Sequence, residues 1–82
     1  MTQLSYYIIK RARQYDEIVK SRGVRTIRHA VYSRPDAASV ISIERASSRQ
    51  IKNYLQRTGK TDDEIEVIQN VKLWYKKKRG EP

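Results

Sequence analysis

The sequence predicts a mainly α-helical domain of about four helices, and three observations predict it. Apolar residues recur at helical spacing near the amino terminus, three capping sequences precede apolar runs, and two glycines stand where helices would end. A chain of 82 residues makes one domain that buries only about 60% of its unfolded surface. We assign residues 1–79 to a single small basic domain and residues 80–82 to a frayed tail.

Residues 2–22 are predicted to form the first helix, with Thr2 as N-cap and Gly23 at a C-terminus that favours positive φ. Tyr6 and Ile9 lie outside the apolar stripe, and we expect them to form a second contact surface for a partner subunit. The stripe itself contains Leu4, Tyr7, Ile8, Ala12, Tyr15, Ile18 and Val19.

Residues 24–46 have two interpretations. Val24, Ile27 and Val31 have helical spacing, but the segment is also rich in β-branched residues. The stretch 33–36, which contains Pro35, is either a turn or a capping box. As a turn it would pair residues 25–33 with 38–45 in a hairpin between helices, giving an α+β fold. As a cap it would open a helix over residues 34–45, which is the interpretation we favour.

The third and fourth helices have clearer boundaries. Ser47 and Gln50 form a capping box, so a helix is predicted over residues 48–58, and Gly59 ends it. Thr61 and Glu64 form another box, and the last helix is predicted over residues 62–79. Its acidic start and basic end both complement the helix dipole. The first and last helices are the expected surfaces for a homodimer.

The positive charge is concentrated on the third predicted helix. The net charge of +9 arises from 18 Lys and Arg against nine acids, and residues 47–60 hold four of those cations and no acid. Such a segment attracts a polyanion, whose condensed counterions are released on binding. We therefore expect nucleic acid as the partner.

Other function classes have little support in the sequence. The absence of Cys excludes disulfides and thiolate zinc sites, and the single His29 cannot form a histidine metal cluster. His29 also has no nucleophile or acid at a diagnostic spacing, so neither catalysis nor a cofactor is expected. No apolar run approaches the ~20 residues of a membrane span, and the amino terminus lacks the order of a secretory signal. A cytoplasmic protein is expected.

The third helix has one apolar side and one side suited to DNA. Ile51, Tyr54, Leu55 and Thr58 share the apolar side. The opposite side carries Arg, Asn and Gln, which can bond base edges in the major groove. Its residues are Arg49, Gln50, Asn53, Gln56 and Arg57.

With residues 34–45 helical, the string of Ser47, Gln50, Ile51 and Leu55 resembles the second helix of helix-turn-helix DNA-binding domains. The resemblance covers about twenty residues and is generic. It implies that Arg49, Gln50 and Asn53 read bases, with Gln56 and Arg57 further along the groove or on the backbone. It also implies phosphate contacts from Ser48, Lys52 and Lys60.

The sequence thus favours a small DNA-binding transcriptional regulator whose partner is duplex DNA. An RNA-binding protein is the first alternative, in which the hairpin over residues 25–45 presents Tyr32 and basic side chains to structured RNA. A basic protein or membrane adaptor is the second, in which the first helix lays Leu4, Tyr7, Ile8 and Tyr15 into a partner.

Overall fold

A computed structural model describes residues 3–69 and shows an α+β fold, a mixed four-stranded sheet with two helices. The elements are β1 (Ser5–Arg11), β2 (Glu17–Ser21), α1 (Val24–Val31), β3 (Val40–Arg45), α2 (Ser48–Thr58) and β4 (Val67–Ile68). Short 3-10 turns span Ala37–Ser39 and Asp62–Glu64. The strand order is β3-β1-β2-β4, with β1 antiparallel to both neighbours and β4 parallel to β2.

The two helices cover opposite faces of the sheet. Successive side chains of a strand point to opposite faces, and in β1 the side chains of Tyr7 and Ile9 join one core while Ile8 joins the other. The core on the α1 side contains Tyr7, Ile9, Val19, Ile27, Ala30, Val31 and Ile68. The core on the α2 side contains Ile8, Ile18, Tyr54 and Ile65, with Ile51 and Leu55 packed against it.

The predicted first helix is wrong, because residues 2–22 contain a β-hairpin. Strands β1 and β2 pair with Tyr7 opposite Val19 and Ile8 opposite Ile18, and Arg13 adopts a positive φ of 60° in the connection. The run of apolar residues 6–9 is typical of a strand that is covered on both faces, and such a strand need not show an alternating pattern. Ile9 is fully buried in the core of this chain and is not available for the predicted contact with a partner, whereas Tyr6 is half-buried.

Neither predicted arrangement of residues 24–46 is correct. Residues 24–31 form α1, and β3 pairs with β1 rather than with residues 25–33. Gly23 does not end a helix at positive φ but precedes α1 with an extended φ of 178°. The β-branched residues of β3 favour a strand, and Ile43 pairs with Ile9 of β1. Because a strand precedes α2, the described residues contain no helix-turn-helix pair.

The predictions at the two remaining capping sequences differ in outcome. Helix α2 is confirmed over Ser48–Thr58, with Gly59 at a left-handed φ of 73°. The last predicted helix is wrong over its described part, where Asp62–Glu64 form a 3-10 turn and β4 follows. Its capping contact is present, since the Glu64 carboxylate accepts from the Thr61 backbone amide at 2.9 Å. Residues 70–79 and the predicted tail at 80–82 lie outside the described part of the chain.

The turn after α2 is held to the sheet by Asp62. Its carboxylate accepts a hydrogen bond from the Tyr6 hydroxyl and one from the Lys20 ammonium, the latter at 2.7 Å. The bonds from Lys20 and Tyr6 lower the pKa of Asp62, and the same carboxylate raises the pKa of both Lys20 and Tyr6. These contacts tie the end of the α2 connection to β1 and β2.

Replacing Asp62 with Asn is expected to lower the stability of the fold at neutral pH. The lowered pKa of Asp62 means that its contribution is present above the unfolded pKa of about 4 and is lost as the pH falls through the folded value. Because the pKa values of Tyr6 and Lys20 are raised, the stability that their bonds to Asp62 contribute is lost at high pH only above about pH 10. Urea unfolding midpoints of wild type and variant should therefore differ at pH 7 and converge below pH ~4.

Asp63→Asn is the matched control for that experiment. Asp63 is the neighbouring acid on the same turn, it is exposed, and it makes no ion pair within residues 3–69. A gap between wild type and Asp62→Asn that persists unchanged at pH 3 would show that the Asp62 carboxylate does not hold the turn.

Candidate nucleic-acid interface

Helix α2 has a cap at each end and packs on one face of the sheet. Its start is set by a reciprocal cap, in which the Gln50 amide donates to Ser47 Oγ at 3.1 Å and the Ser47 amide donates to Gln50 Oε1 at 2.8 Å. Its inner side packs Tyr54 against Ile8 and Ile18. Gly59 ends the helix in the left-handed conformation. The remaining sides of the helix are thereby held toward solvent.

The structure exposes most of the sequence-predicted site residues. Four that share the outer side of α2 are all exposed, namely Arg49, Lys52, Asn53 and Gln56. Ser48 at the first residue of the helix and Lys60 just after its last residue are exposed too. The Lys60 ammonium lies 5.9 Å from the centre of the Tyr54 ring. These six side chains are brought together along α2 and the residues directly after it.

Gln50 and Arg57 differ from the other predicted site residues because they are already engaged. The Gln50 side-chain oxygen is used in the cap, which leaves its amide NH₂ as the group not involved in that bond. Arg57 donates to the backbone oxygen of Asp16 at 2.6 Å, and its guanidinium carbon lies 4.6 Å from the centre of the Tyr15 ring. Both side chains are therefore held in place before any ligand arrives.

Tyr15 is a candidate site residue that was predicted only as part of the apolar stripe of the first helix. It lies in the β1–β2 connection, is 77% exposed, and stacks against the Arg57 guanidinium. Between this connection and α2 runs an open groove of about 610 Å³. Its lining includes Ile8, Tyr15, Ile18, Gln50, Asn53, Tyr54, Gln56 and Arg57. Arg13 lies two residues before Tyr15, and an aromatic residue close to a basic one is a signal for nucleic-acid binding, but this signal is weak without knowledge of the turn.

The ion pairs of the fold leave the helices positively charged. Within residues 3–69, five acids pair with cations of strands and loops, and no ion pair involves a Lys or Arg of α1 or α2. The pairs are Lys10 with Glu44, Arg11 with Glu17 and Asp36, Lys20 with Asp62, and Arg34 with Glu66. Because neither helix contains an acid, both outer surfaces carry uncompensated charge.

The described residues offer little to other kinds of site. Among residues 3–69, no three His, Asp or Glu side chains are grouped so that they could hold a metal ion. Neither of the two helices is long and apolar enough to cross a bilayer. Comparison of the chain with protein-family models, with curated proteins and with solved structures finds no match. The surface of this chain is therefore the guide to its function.

Proposed function

We propose that this protein binds nucleic acid through the outer side of α2, with duplex DNA as the ligand. The observation that carries the proposal is the exposed row of Arg49, Lys52, Asn53 and Gln56 on a capped helix that contains no acid. The major groove is about 12 Å wide and admits an α-helix. A single helix presented by a sheet can enter it without a second helix behind it. Regulation of transcription in the cytoplasm is the cellular role proposed with it.

The exposed side chains divide into two kinds of contact. Arg49, Asn53 and Gln56 carry the groups that bond guanine or adenine edges, so we assign them to base recognition. Lys52, Ser48 and Lys60 are assigned to the phosphate backbone, where they set position without selecting sequence. Gln50 changes from base reader to helix cap, with only its NH₂ group left to contact DNA. Arg57 is held on Tyr15 and faces the rim of the groove beside the helix.

Two substitutions on neighbouring positions of α2 test this division. Lys52→Ala should weaken binding to all duplexes alike and reduce the salt dependence by about one unit of slope. Asn53→Ala should weaken binding to a selected target duplex by about 1–3 kcal/mol and leave random duplex nearly unchanged. The measurement is a salt titration of fluorescence anisotropy, with a target chosen by selection from a random duplex pool.

Arg34→Ala is the control, because it removes the same charge at a position whose guanidinium pairs with Glu66 at 2.9 Å rather than facing solvent on α2. It should bind duplex as wild type does. Equal losses from Lys52→Ala and Asn53→Ala on target and random duplex would contradict the assignment. Failure of the wild type to bind any duplex at about 100 mM salt, where specific complexes are typically tight, would contradict the proposal itself.

Single-stranded nucleic acid, RNA included, is the second candidate ligand, and the exposed ring of Tyr15 favours it. Unpaired bases stack on aromatic side chains, with about 1–3 kcal/mol per base. The groove beside Tyr15 also presents the polar side chains of Asn53 and Gln56. Tighter binding of an unpaired strand than of duplex in the same salt titration would favour this candidate.

A further inference from the structure

Helix α1 carries a second basic surface, on the face of the sheet opposite α2. Arg25, Arg28 and His29 are exposed on its outer side, and the half-exposed ring of Tyr32 follows directly. These four side chains and Ser33 surround a shallow depression of about 420 Å³. The sequence pattern pointed to Tyr32 only as part of a hairpin. The helix instead brings it beside the three basic side chains.

The charge of this surface is not compensated by nearby acids. Between Arg22 and Arg34 the sequence contains no Asp or Glu. The acids that flank this stretch in the chain are used elsewhere, because Glu17 and Asp36 both pair with buried Arg11, at 3.6 and 3.2 Å. Glu66 pairs with Arg34 at 2.9 Å. Within residues 3–69, the guanidinium groups of Arg22, Arg25 and Arg28 have no ion pair.

The chemistry of the surface fits a phosphate backbone better than a lipid bilayer. Guanidinium groups can donate two parallel hydrogen bonds to one phosphate, and a Tyr hydroxyl is another common phosphate partner. A helix that lies on a membrane needs a large apolar side for the acyl chains. The apolar side chains Ile27 and Val31 are fully buried against the sheet, so α1 offers no such side.

We propose that α1 binds the phosphate backbone of a second duplex segment, so that one molecule joins two segments of nucleic acid. The proposal rests on the proposed function of α2. Because Ile9 faces the α1 core and Ile8 faces the α2 core, the two basic surfaces point away from each other. A duplex is stiff over ~150 base pairs. One short duplex therefore cannot lie on both surfaces at once.

The test is capture of a second duplex. A duplex of about 16 base pairs, far shorter than the persistence length, is immobilised, and a labelled duplex of equal length is added with the full chain. The wild type should retain the label on the surface. Two double variants are compared. The α1 pair combines Arg25→Glu with Arg28→Glu, and the α2 pair combines Arg49→Glu with Lys52→Glu, so both change the charge of their helix by the same amount. Each pair should reduce capture by about tenfold or more. Unchanged circular dichroism and unfolding midpoints would show that both pairs fold.

Binding of a single duplex in solution separates this proposal from the one on α2. The α1 pair should still bind a single duplex through α2, although capture is lost. Capture at the wild-type level in the α1 pair would overturn the inference, since two associated molecules that each bind one duplex through α2 would then account for it. A wild type that binds duplex without capturing a second would overturn it as well and leave the function of α2 intact. If the α1 pair lost binding of a single duplex while the α2 pair kept it, the proposed role of α2 would be contradicted instead.

The same series of experiments tests whether α1 binds a membrane instead. Vesicles that contain phosphatidylserine are added to the wild type and to the α1 pair. We expect no binding that depends on Arg25 and Arg28. Vesicle binding that the α1 pair loses, together with absent capture, would overturn the inference in favour of an anionic bilayer.

Discussion

Replacing Arg49 with Glu is expected to weaken duplex binding about 30- to 100-fold while leaving the fold as stable as before or slightly more stable. Arg49 is exposed in the first turn of α2, which contains no acid. A bidentate Arg contact with guanine contributes about 1–3 kcal/mol, and the new carboxylate adds repulsion from the phosphates. At the same position a negative charge interacts favourably with the helix dipole, by about 0.3–1 kcal/mol.

The opposite signs of the two effects make this variant informative. A substitution that damages the fold would lower binding and stability together, whereas Arg49→Glu should lower the first alone. Arg13→Glu is the matched control, because it makes the same charge change at an exposed position in the β1–β2 connection. Anisotropy titrations and thermal unfolding of both variants give the comparison. Equal loss of binding in the two would mean that net charge, and not the side of α2, controls affinity.

The sequence predicted α2 well because every signal for that helix is local. Its start depends on Ser47 and Gln50, which are three residues apart, and its end depends on Gly59. No tertiary contact is needed to recognise either boundary. The 3-10 turn after it shares this local character, since Thr61 and Glu64 form their capping contact although no long helix follows within the described residues.

The sheet was not predicted because its strands depend on partners far along the chain. Strand β1 pairs with β3, whose Ile43 lies opposite Ile9 across more than thirty residues. Coverage by α1 on one face and α2 on the other makes residues 6–9 apolar throughout, and this removes the alternation that would mark a strand. The apolar stripe of residues 2–22 then imitates a helix. A pattern within one segment cannot show which faces other segments will cover.

The same distinction between local and distant signals decides which residues of the candidate site could be predicted from the sequence. The exposure of Arg49, Lys52, Asn53 and Gln56 follows from the helical period alone and agrees with the structure. The positions of Tyr15 and Arg57 depend on a hairpin connection that the sequence analysis placed inside a helix. The basic surface of α1 depends on which side of residues 24–31 the sheet buries.

Replacing Ile9 with Ala is expected to lower the free energy of unfolding by about 3–4 kcal/mol, within the range of 2–5 kcal/mol for large-to-small changes in a core. Ile9 is fully buried between α1 and the sheet, in contact with the cluster that contains Ile27 and Val31. Small domains have only about 5–15 kcal/mol in total. Urea unfolding followed by circular dichroism measures the loss.

Ile9 is the position at which a sheet and a helix over residues 2–22 give the most different results. In the helical interpretation Ile9 lies off the apolar stripe, and Ala, the best helix former, would cost nothing or stabilise the chain. In the sheet the same change removes a side chain from the core beneath α1. Ile41→Ala is the control, because Ile41 lies on β3 and is 67% exposed, so its cost should stay below about 1 kcal/mol. Ile9→Val, at about 0.5–1.5 kcal/mol, keeps the effect measurable if the Ala variant fails to fold. Equal unfolding midpoints for Ile9→Ala and Ile41→Ala would contradict the sheet, and with it the placement of the two basic helices on opposite faces.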